Sequence, residues 1–285
     1  MEYERGVVSF SRYEKENVIE NKYKDRYSWV KSIIIYLIPY QNVTLKGKYL
    51  PAKFAYTSDY HKSINEFLTR EADKLNLERY EVLVDVNFLN EKVLAKMAGL
   101  GSFGKNQLFI SKKYGTFCNL GTIITSTALK ETEGRVENLC LNCDKCVKNC
   151  PTKALENGFI KERCLSNLSQ IASSNFELYD NMVLYYGCDA CQDACPYNKG
   201  DRLVQYDDKA IMNLDILEGI SDYKEYAKTK TYNWIGYLKM LRNILVLETN
   251  NKNITLEKLK YYQDKYKDTK WFYDHLEYLK KKLGE

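Results

Sequence analysis

The arrangement of the cysteines limits this chain more than any other feature. Eight of its nine cysteines lie between positions 140 and 195. The first four read Cys140-x2-Cys143-x2-Cys146-x3-Cys150-Pro151, a run in which three thiolates wrap one 4Fe-4S cube and the fourth crosses to a neighbouring cube. A second cube is therefore expected. Cys188-x2-Cys191-x3-Cys195-Pro196 supplies a second run that lacks its first cysteine, and Cys164 lies upstream as the detached replacement. The count closes at eight thiolates for two 4Fe-4S clusters. The crossing rule assigns Cys140, Cys143, Cys146 and Cys195 to one cube, and Cys150, Cys164, Cys188 and Cys191 to the other. Two of only four prolines follow the last cysteine of each run, where a fixed φ and a missing amide donor turn the chain away from the metal.

Zinc or disulfides explain the spacing less well. Structural zinc takes paired C-x2-C units or histidines, and disulfide frameworks suit small secreted domains. The opening Met1-Glu2-Tyr3-Glu4-Arg5 has no signal-sequence character. Cys118 is left over and reads as a small buried hydrophobe. With 45% hydrophobic and 28% charged residues over 285 positions, composition fits a soluble cytoplasmic protein with a sizeable core. The longest apolar run, Ser32 to Pro39, is strand-sized, far short of the ~20 residues of a membrane helix. A net charge of +5 says only that anionic partners are not repelled, and the 25 tyrosines read as compositional bias.

Three regions separate, giving an α+β fold class. Residues 1–132 mix periods: a strand at Ser32 to Pro39, a helix from Asp59 to Leu77, a strand at Tyr80 to Leu89, and a helix from Asn90 to Met97 stopped by Gly99. Leu108 to Ile110 and Leu120 to Thr127 read as a hairpin or adjacent strands. Residues 133–200 hold the cysteines and resemble a two-cluster ferredoxin with an insert between Cys164 and Cys188. Residues 201–285 are helical in pattern, with Trp234, Leu238, Leu241, Leu245 and Leu247 in one amphipathic stretch and Leu256, Leu259 and Tyr262 in another.

Clusters move single electrons, so the first region is expected to hold their acceptor and a proton source. Asp85 is a lone carboxylate in a mostly apolar strand pattern. Desolvation there raises a carboxyl pKa toward the range of a general acid. The alternative is a strand-end aspartate capping the helix at Asn90, which spacing alone favours. The glycines of Ala98-Gly99-Leu100-Gly101-Ser102-Phe103-Gly104-Lys105-Asn106 permit close backbone approach to a ligand, without Walker spacing. Asp59-Tyr60-His61 opens a helix and holds one of two histidines, a cofactor contact or a structural residue.

In this order the motifs resemble the epoxyqueuosine reductase family, cobalamin-dependent enzymes that complete queuosine synthesis in tRNA. The resemblance runs through the apolar strand Ser32 to Tyr40, Asp59-Tyr60-His61, Val84-Asp85, the glycine loop to Gly104-Lys105-Asn106, Arg163-Cys164-Leu165-Ser166 and Gly187-Cys188-Asp189-Ala190-Cys191-Gln192. It implies an N-terminal α/β corrinoid and substrate domain, a ferredoxin-like domain and a short C-terminal HEAT-like helical segment. It also implies that electrons pass from a donor such as flavodoxin or ferredoxin through the cubes to base-off cobalamin, and that Asp85 protonates the departing oxygen. Asp59, Tyr60, His61, Gly101, Gly104, Lys105, Asn106 and Ser166 are implied cofactor contacts, and the anticodon stem-loop of tRNA is the implied partner of a monomer.

Departures are specific. The family's Gly-Pro after Val-Asp falls near Val86-Asn87-Phe88, its Trp-Ile is Ser102-Phe103 here, and its N-terminus and helical tail are longer. Trp234 to Leu245 resembles the start of that tail, and Lys280-Lys281-Lys282 is a basic stretch that is solvated or touches phosphate. Two alternatives stay open. One is a corrinoid and iron-sulfur reductase of a small molecule, although the twin-arginine leader of exported reductive dehalogenases is not seen. The other is a non-catalytic electron carrier.

Overall fold

The computed structural model describes residues 3–17, 19–40, 45–85, 87–134, 138–198 and 210–285. The chain forms two compact units: Met1–Asn42, Tyr60–Asp144 and Cys195–Arg202 make the first, and Val43–Asp59, Lys145–Ala194 and Leu203–Glu285 make the second. The cysteine segment is thus divided between them. Among the described residues no helix is long and apolar enough to cross a membrane.

Unit 1 contains, in chain order, β1 (Glu4–Ser9), α1 (Phe10–Glu16), α2 (Asn21–Arg26), β2 (Ser32–Pro39), α3 (Tyr60–Lys74), β3 (Tyr80–Leu83), α4 (Glu91–Met97), β4 (Gly101–Phe103), β5 (Phe109–Ser111) and β6 (Cys118–Thr125). Four strands form an antiparallel sheet in the order β1-β2-β6-β3. The isoleucine-rich run is β2, and it lacks polar alternation because both faces are covered. Ile33, Ile35 and Leu37 pack with Phe10 and Tyr13 of α1 and Leu94 and Ala95 of α4, while Ile34 and Tyr36 pack with Ile64, Leu68 and Ala72 of α3. Continuous apolar strands usually belong to parallel sheets; here helices on both sides produce the same pattern in an antiparallel one.

Two strand expectations change. The strand expected over Tyr80 to Leu89 ends at Leu83, and Asp85 turns into the left-handed region with φ +60°. The segment around Leu108 to Ile110 does not pair with the strand at Leu120. Both edges of β6 are already occupied, by β2 and β3, so β5 pairs with β4 instead. Helix α4 starts as expected, with the Asn90 side chain accepting from the Val93 amide at 3.2 Å. It stops at Gly99, whose φ of +72° lets the Leu100 amide bond back to Ala95 O at 3.0 Å, a turn that favours glycine.

Unit 2 is mainly helical: α5 (Lys145–Lys148), α6 (Leu165–Leu168), α7 (Ala190–Asp193), α8 (Leu214–Glu218), α9 (Tyr223–Ala227), α10 (Tyr237–Asn250), α11 (Leu256–Lys265) and α12 (Lys270–Lys282). Helix α10 is buried on all sides from Met240 to Thr249, as a central helix must be. Leu241, Ile244 and Leu245 are each fully buried, contributing about 2 kcal/mol apiece. Trp234, expected on the apolar stripe, precedes the helix and is 56% exposed. The expected basic tail is mostly paired: Lys280 is buried against Glu277 and Glu285, and Lys282 bonds Asp180 at 2.7 Å.

Helix α10 also carries the fully buried Arg242. Its guanidinium donates to Leu168 O at 2.9 Å, Ile171 O at 3.0 Å, Tyr179 Oη at 2.7 Å and Asn243 Oδ1 at 2.7 Å. Asn243 in turn donates to Ser169 O and Tyr185 O, both at 2.8 Å. Burial pulls the Arg242 pKa down to about 10, which still leaves a cation at neutral pH. Arg242→Ala orphans these carbonyls and is expected to destabilise the fold by about 3 kcal/mol, read by denaturant titration. The neighbouring His275 is fully buried with neither ring nitrogen partnered among the described residues, and burial, then the Arg242 charge, drive its pKa well below 6.5. The unfolded chain therefore binds a proton that the folded one refuses. Stability is expected to fall as pH drops below about 6.5, by up to ~1.4 kcal/mol per unit, and His275→Phe is expected to flatten that slope in unfolding midpoints measured across pH.

Candidate functional site

At the end of β3 in unit 1, Asp85 meets the first turn of α3. The Tyr60 hydroxyl donates to Asp85 Oδ2 at 3.0 Å, and His61 Nε2 lies 3.3 Å from the same oxygen. The two rings stack on each other with centroids 4.2 Å apart. The burial expected for Asp85 is not found: its side chain is 56% exposed, because the strand ends two residues earlier. Nor does it cap α4, since Asn90 does. What remains is an open carboxylate held on one oxygen by a phenol and an imidazole.

The second carboxyl here is the half-buried Glu91, in the first turn of α4. Thr122 Oγ1, on β6, and Asn87 Nδ2 donate to its Oε1 at 3.2 and 3.3 Å, and the Asp85 backbone amide bonds the same carboxyl. Burial, then the nearby Asp85 charge, push its pKa up to about 8, so it holds its proton at neutral pH. Sequence reading missed Glu91 because a glutamate after an Asn N-cap reads as an ordinary first-turn residue. Only the packing of α4 onto β6 takes it partly out of water.

The glycine loop is the β4–β5 hairpin. A Cβ on Gly101 would sit 2.1 Å from Ile110 O, and one on Gly104 would sit 2.4 Å from Asn106 Oδ1. These glycines are demanded by the hairpin itself, and the buried Asn106 accepts from the Leu108 amide at 3.3 Å within the turn. Lys105 points the loop at the cysteines: its amide lies 3.4 Å from Cys140 Sγ and its ammonium 2.5 Å from Asp144. Ser102 Oγ fixes the Leu139 amide at 2.9 Å. Cys195 couples to Cys140 and Cys143, with the Tyr197 and Asn198 amides bonding its sulfur.

In unit 2, Cys188 and Cys191 flank the start of α7. Burial, opposed by a bond from the Ala190 amide, pushes the Cys188 thiol up to about 12. Burial, then the charges of Cys188, Cys164, Cys146 and Cys150, raises Cys191 as well. The Ala154 amide donates to Cys150 Sγ at 3.2 Å. Asp189 between them is structural: its carboxylate accepts the Lys53 amide at 2.8 Å and Gln192 Nε2 at 3.2 Å, and Lys53 pairs with Asp193. Among the described residues no three donors converge as for a single metal ion. A four-iron cube holds its thiolates apart at its corners, and the sulfur-directed amides suit such a donor set.

Comparison with known proteins gives the same picture. Residues 139–198 match the family model of the 4Fe-4S double cluster binding domain. An epoxyqueuosine reductase of Aliivibrio fischeri is 34% identical over 218 residues, 70% of this chain and 58% of that protein. The epoxyqueuosine reductase of Streptococcus thermophilus superposes with a TM-score of 0.78 at 27% identity, over 92% of this chain and 81% of the other. This chain is a relative of the epoxyqueuosine reductases. An epoxyqueuosine reductase solved with an epoxyqueuosine-modified tRNA-Tyr stem loop shares the fold, with a TM-score of 0.75 at 23% identity over 91% and 81% of the two chains. The alignments span 42 to 58% of the lengths of three curated epoxyqueuosine reductases.

Of the residues singled out from sequence, Tyr60, His61 and Asp85 come together, and Lys105 joins Cys140. Asp59 belongs to unit 2, where Asn233 Nδ2 donates to it at 3.2 Å. Ser166 also belongs there, its carbonyl accepting from Ser169 and Gln170 in a local turn. Cys118 is partly buried on β6 against the core of unit 1. Cys188→Ala is expected to lower bound iron from about eight to about four per chain, measured by iron analysis of anaerobically reconstituted protein.

Proposed function

We propose that this chain reduces the epoxide of epoxyqueuosine in tRNA, using two 4Fe-4S clusters and cobalamin. The observation that carries the reading is the Asp85–Tyr60–His61 constellation on the unit whose hairpin also meets Cys140. The eight cysteines hold the cubes, divided as their spacing assigns. An external donor of flavodoxin or ferredoxin type supplies electrons in the cytoplasm. The tRNA partner rests on likeness to the stem-loop-bound structure, whose identity of 23% carries the fold alone.

Cobalamin enters through the family. The residues here fit it in one respect: the Asp85 face is open and offers a polar carboxylate–phenol–imidazole group to a ligand. Gly101 and Gly104 speak neither way, because the hairpin already requires them. When bound, cobalamin supplies the strongly reducing centre next to the substrate. The chain's own residues manage protons. Loss of the epoxide oxygen as water consumes two electrons and two protons. Asp85, oriented by Tyr60 and His61, takes a proton from solvent and delivers it to the departing oxygen, and solvent supplies the second. Substrate lying over the exposed face excludes water and strengthens that interaction.

Asp85→Ala is expected to keep iron and corrinoid content while turnover falls by at least ~100-fold, measured by nucleoside mass spectrometry after anaerobic reaction with epoxyqueuosine tRNA. Retained turnover in that variant removes Asp85 as the proton donor. Wild-type protein that carries both clusters and cobalamin yet leaves the modified tRNA unchanged moves the substrate to a small epoxide or another reducible small molecule.

A further inference from the structure

The Asp85 carboxylate is exposed, and its backbone sits in a left-handed conformation, φ +60°, which costs a non-glycine residue about 1 kcal/mol or more. Something must hold it. Tyr60 and His61 bond the side-chain oxygen. Two bonds restrain the main chain directly and two more back them. Asn87 Nδ2 donates to Asp85 O at 3.0 Å and to Glu91 Oε1 at 3.3 Å, Asn87 Oδ1 accepts the Leu89 amide at 2.7 Å, and the Asp85 amide bonds the Glu91 carboxyl. Glu91 is itself anchored to the sheet by the fully buried Thr122 at 3.2 Å. The path runs from the central strand β6 to a half-buried carboxyl, and from there to the backbone of the exposed one.

We infer that Glu91 is a positioning residue: its half-buried carboxyl, fixed to Thr122, holds the main chain at Asp85 in its left-handed turn and sets how the Asp85 carboxylate is presented beside Tyr60 and His61. This role deepens the reading of Asp85 as proton donor and rests on it. Among the described residues the titratable group facing Glu91 is Asp85; Asn87 and Thr122 are uncharged, and the exposed Lys92 turns to Gln107 O at 2.9 Å. A protonated Glu91 accepts the three donors without placing a second negative charge beside Asp85. Because its folded pKa is raised to about 8 from 4.5, the stabilisation is full below about 4.5 and is lost as pH rises through about 8.

Two variants separate the anchor from general packing: Glu91→Gln keeps an uncharged acceptor, and Glu91→Leu removes it. Hydrogen–deuterium exchange of the full chain with reconstituted clusters needs no substrate. In Glu91→Leu the peptide bearing Asp85 and Asn87 is expected to exchange at least ~10-fold faster, with the β2 peptide unchanged, while Glu91→Gln stays within about twofold of wild type. After correction for intrinsic rates, wild-type protection of that peptide is expected to fall between about pH 7 and 9, and that of Glu91→Gln to stay level. In turnover, Glu91→Leu is expected to lower kcat ~10-fold at unchanged KM for the RNA, and Glu91→Gln to restore it. Exchange at the Asp85 peptide that is the same in Glu91→Leu as in wild type overturns the inference. Should Glu91→Leu loosen β2 as well, the Gln variant decides, and a wild-type fall in protection persisting there also overturns it. If wild-type protein fails to convert epoxyqueuosine RNA while the exchange pattern holds, the positioning role stands and the proposed substrate falls.

Discussion

A buried cation with no carboxylate partner among the described residues organises the helical unit. Arg242 is taken wholly out of water and bonded to main-chain carbonyls at 168 and 171 and to the Tyr179 hydroxyl. A guanidinium can satisfy several carbonyls at once because its donors lie in a fixed plane. Those carbonyls belong to the segment that starts at Cys164, and Asn243 bonds the carbonyls of Ser169 and Tyr185 just ahead of Cys188. The central helix is thus the template on which cysteines separated by more than twenty residues are set. The ring of Tyr179 lies over the guanidinium with its centroid at 4.3 Å, adding favourable charge–quadrupole contact in a dry site.

The sheet unit places two carboxyl groups in opposite environments a few residues apart. Asp85 is exposed and bonded through its side chain to groups on α3; Glu91 is half-buried and bonded toward β6. Their side-chain bonds point to different elements, one toward α3 and one toward β6. The bonds that reach the Asp85 backbone mean that the exposed group takes its position from the half-buried one.

Much of the cysteine chemistry was legible in the chain. Thiol spacing of two and three residues with a following proline is a local property, and the match of residues 139–198 to a double-cluster domain agrees with it. The strand at Ser32, the helix beginning near Tyr60 and the Asn90 cap were legible for the same reason: periodicity and capping act within a turn or two. Asp85 looked buried because Val82, Val84 and Val86 surround it in sequence, yet the strand stops at Leu83. The hairpin partner of β5 was misread because no local signal reveals that β6 already has neighbours on both edges.

What the sequence by itself determined, then, is the donor set, the order of elements and the family likeness, all of which follow from short-range spacing. What only the tertiary structure decided is which groups lose water. Glu91 and Arg242 are charged residue types in ordinary helical positions, and the partial burial of the first and full burial of the second come from the packing of α4 against β6 and of α10 at the centre of its unit. Desolvation is set by neighbours distant in the chain, so its consequences for charge and proton affinity appear only once those neighbours are in place.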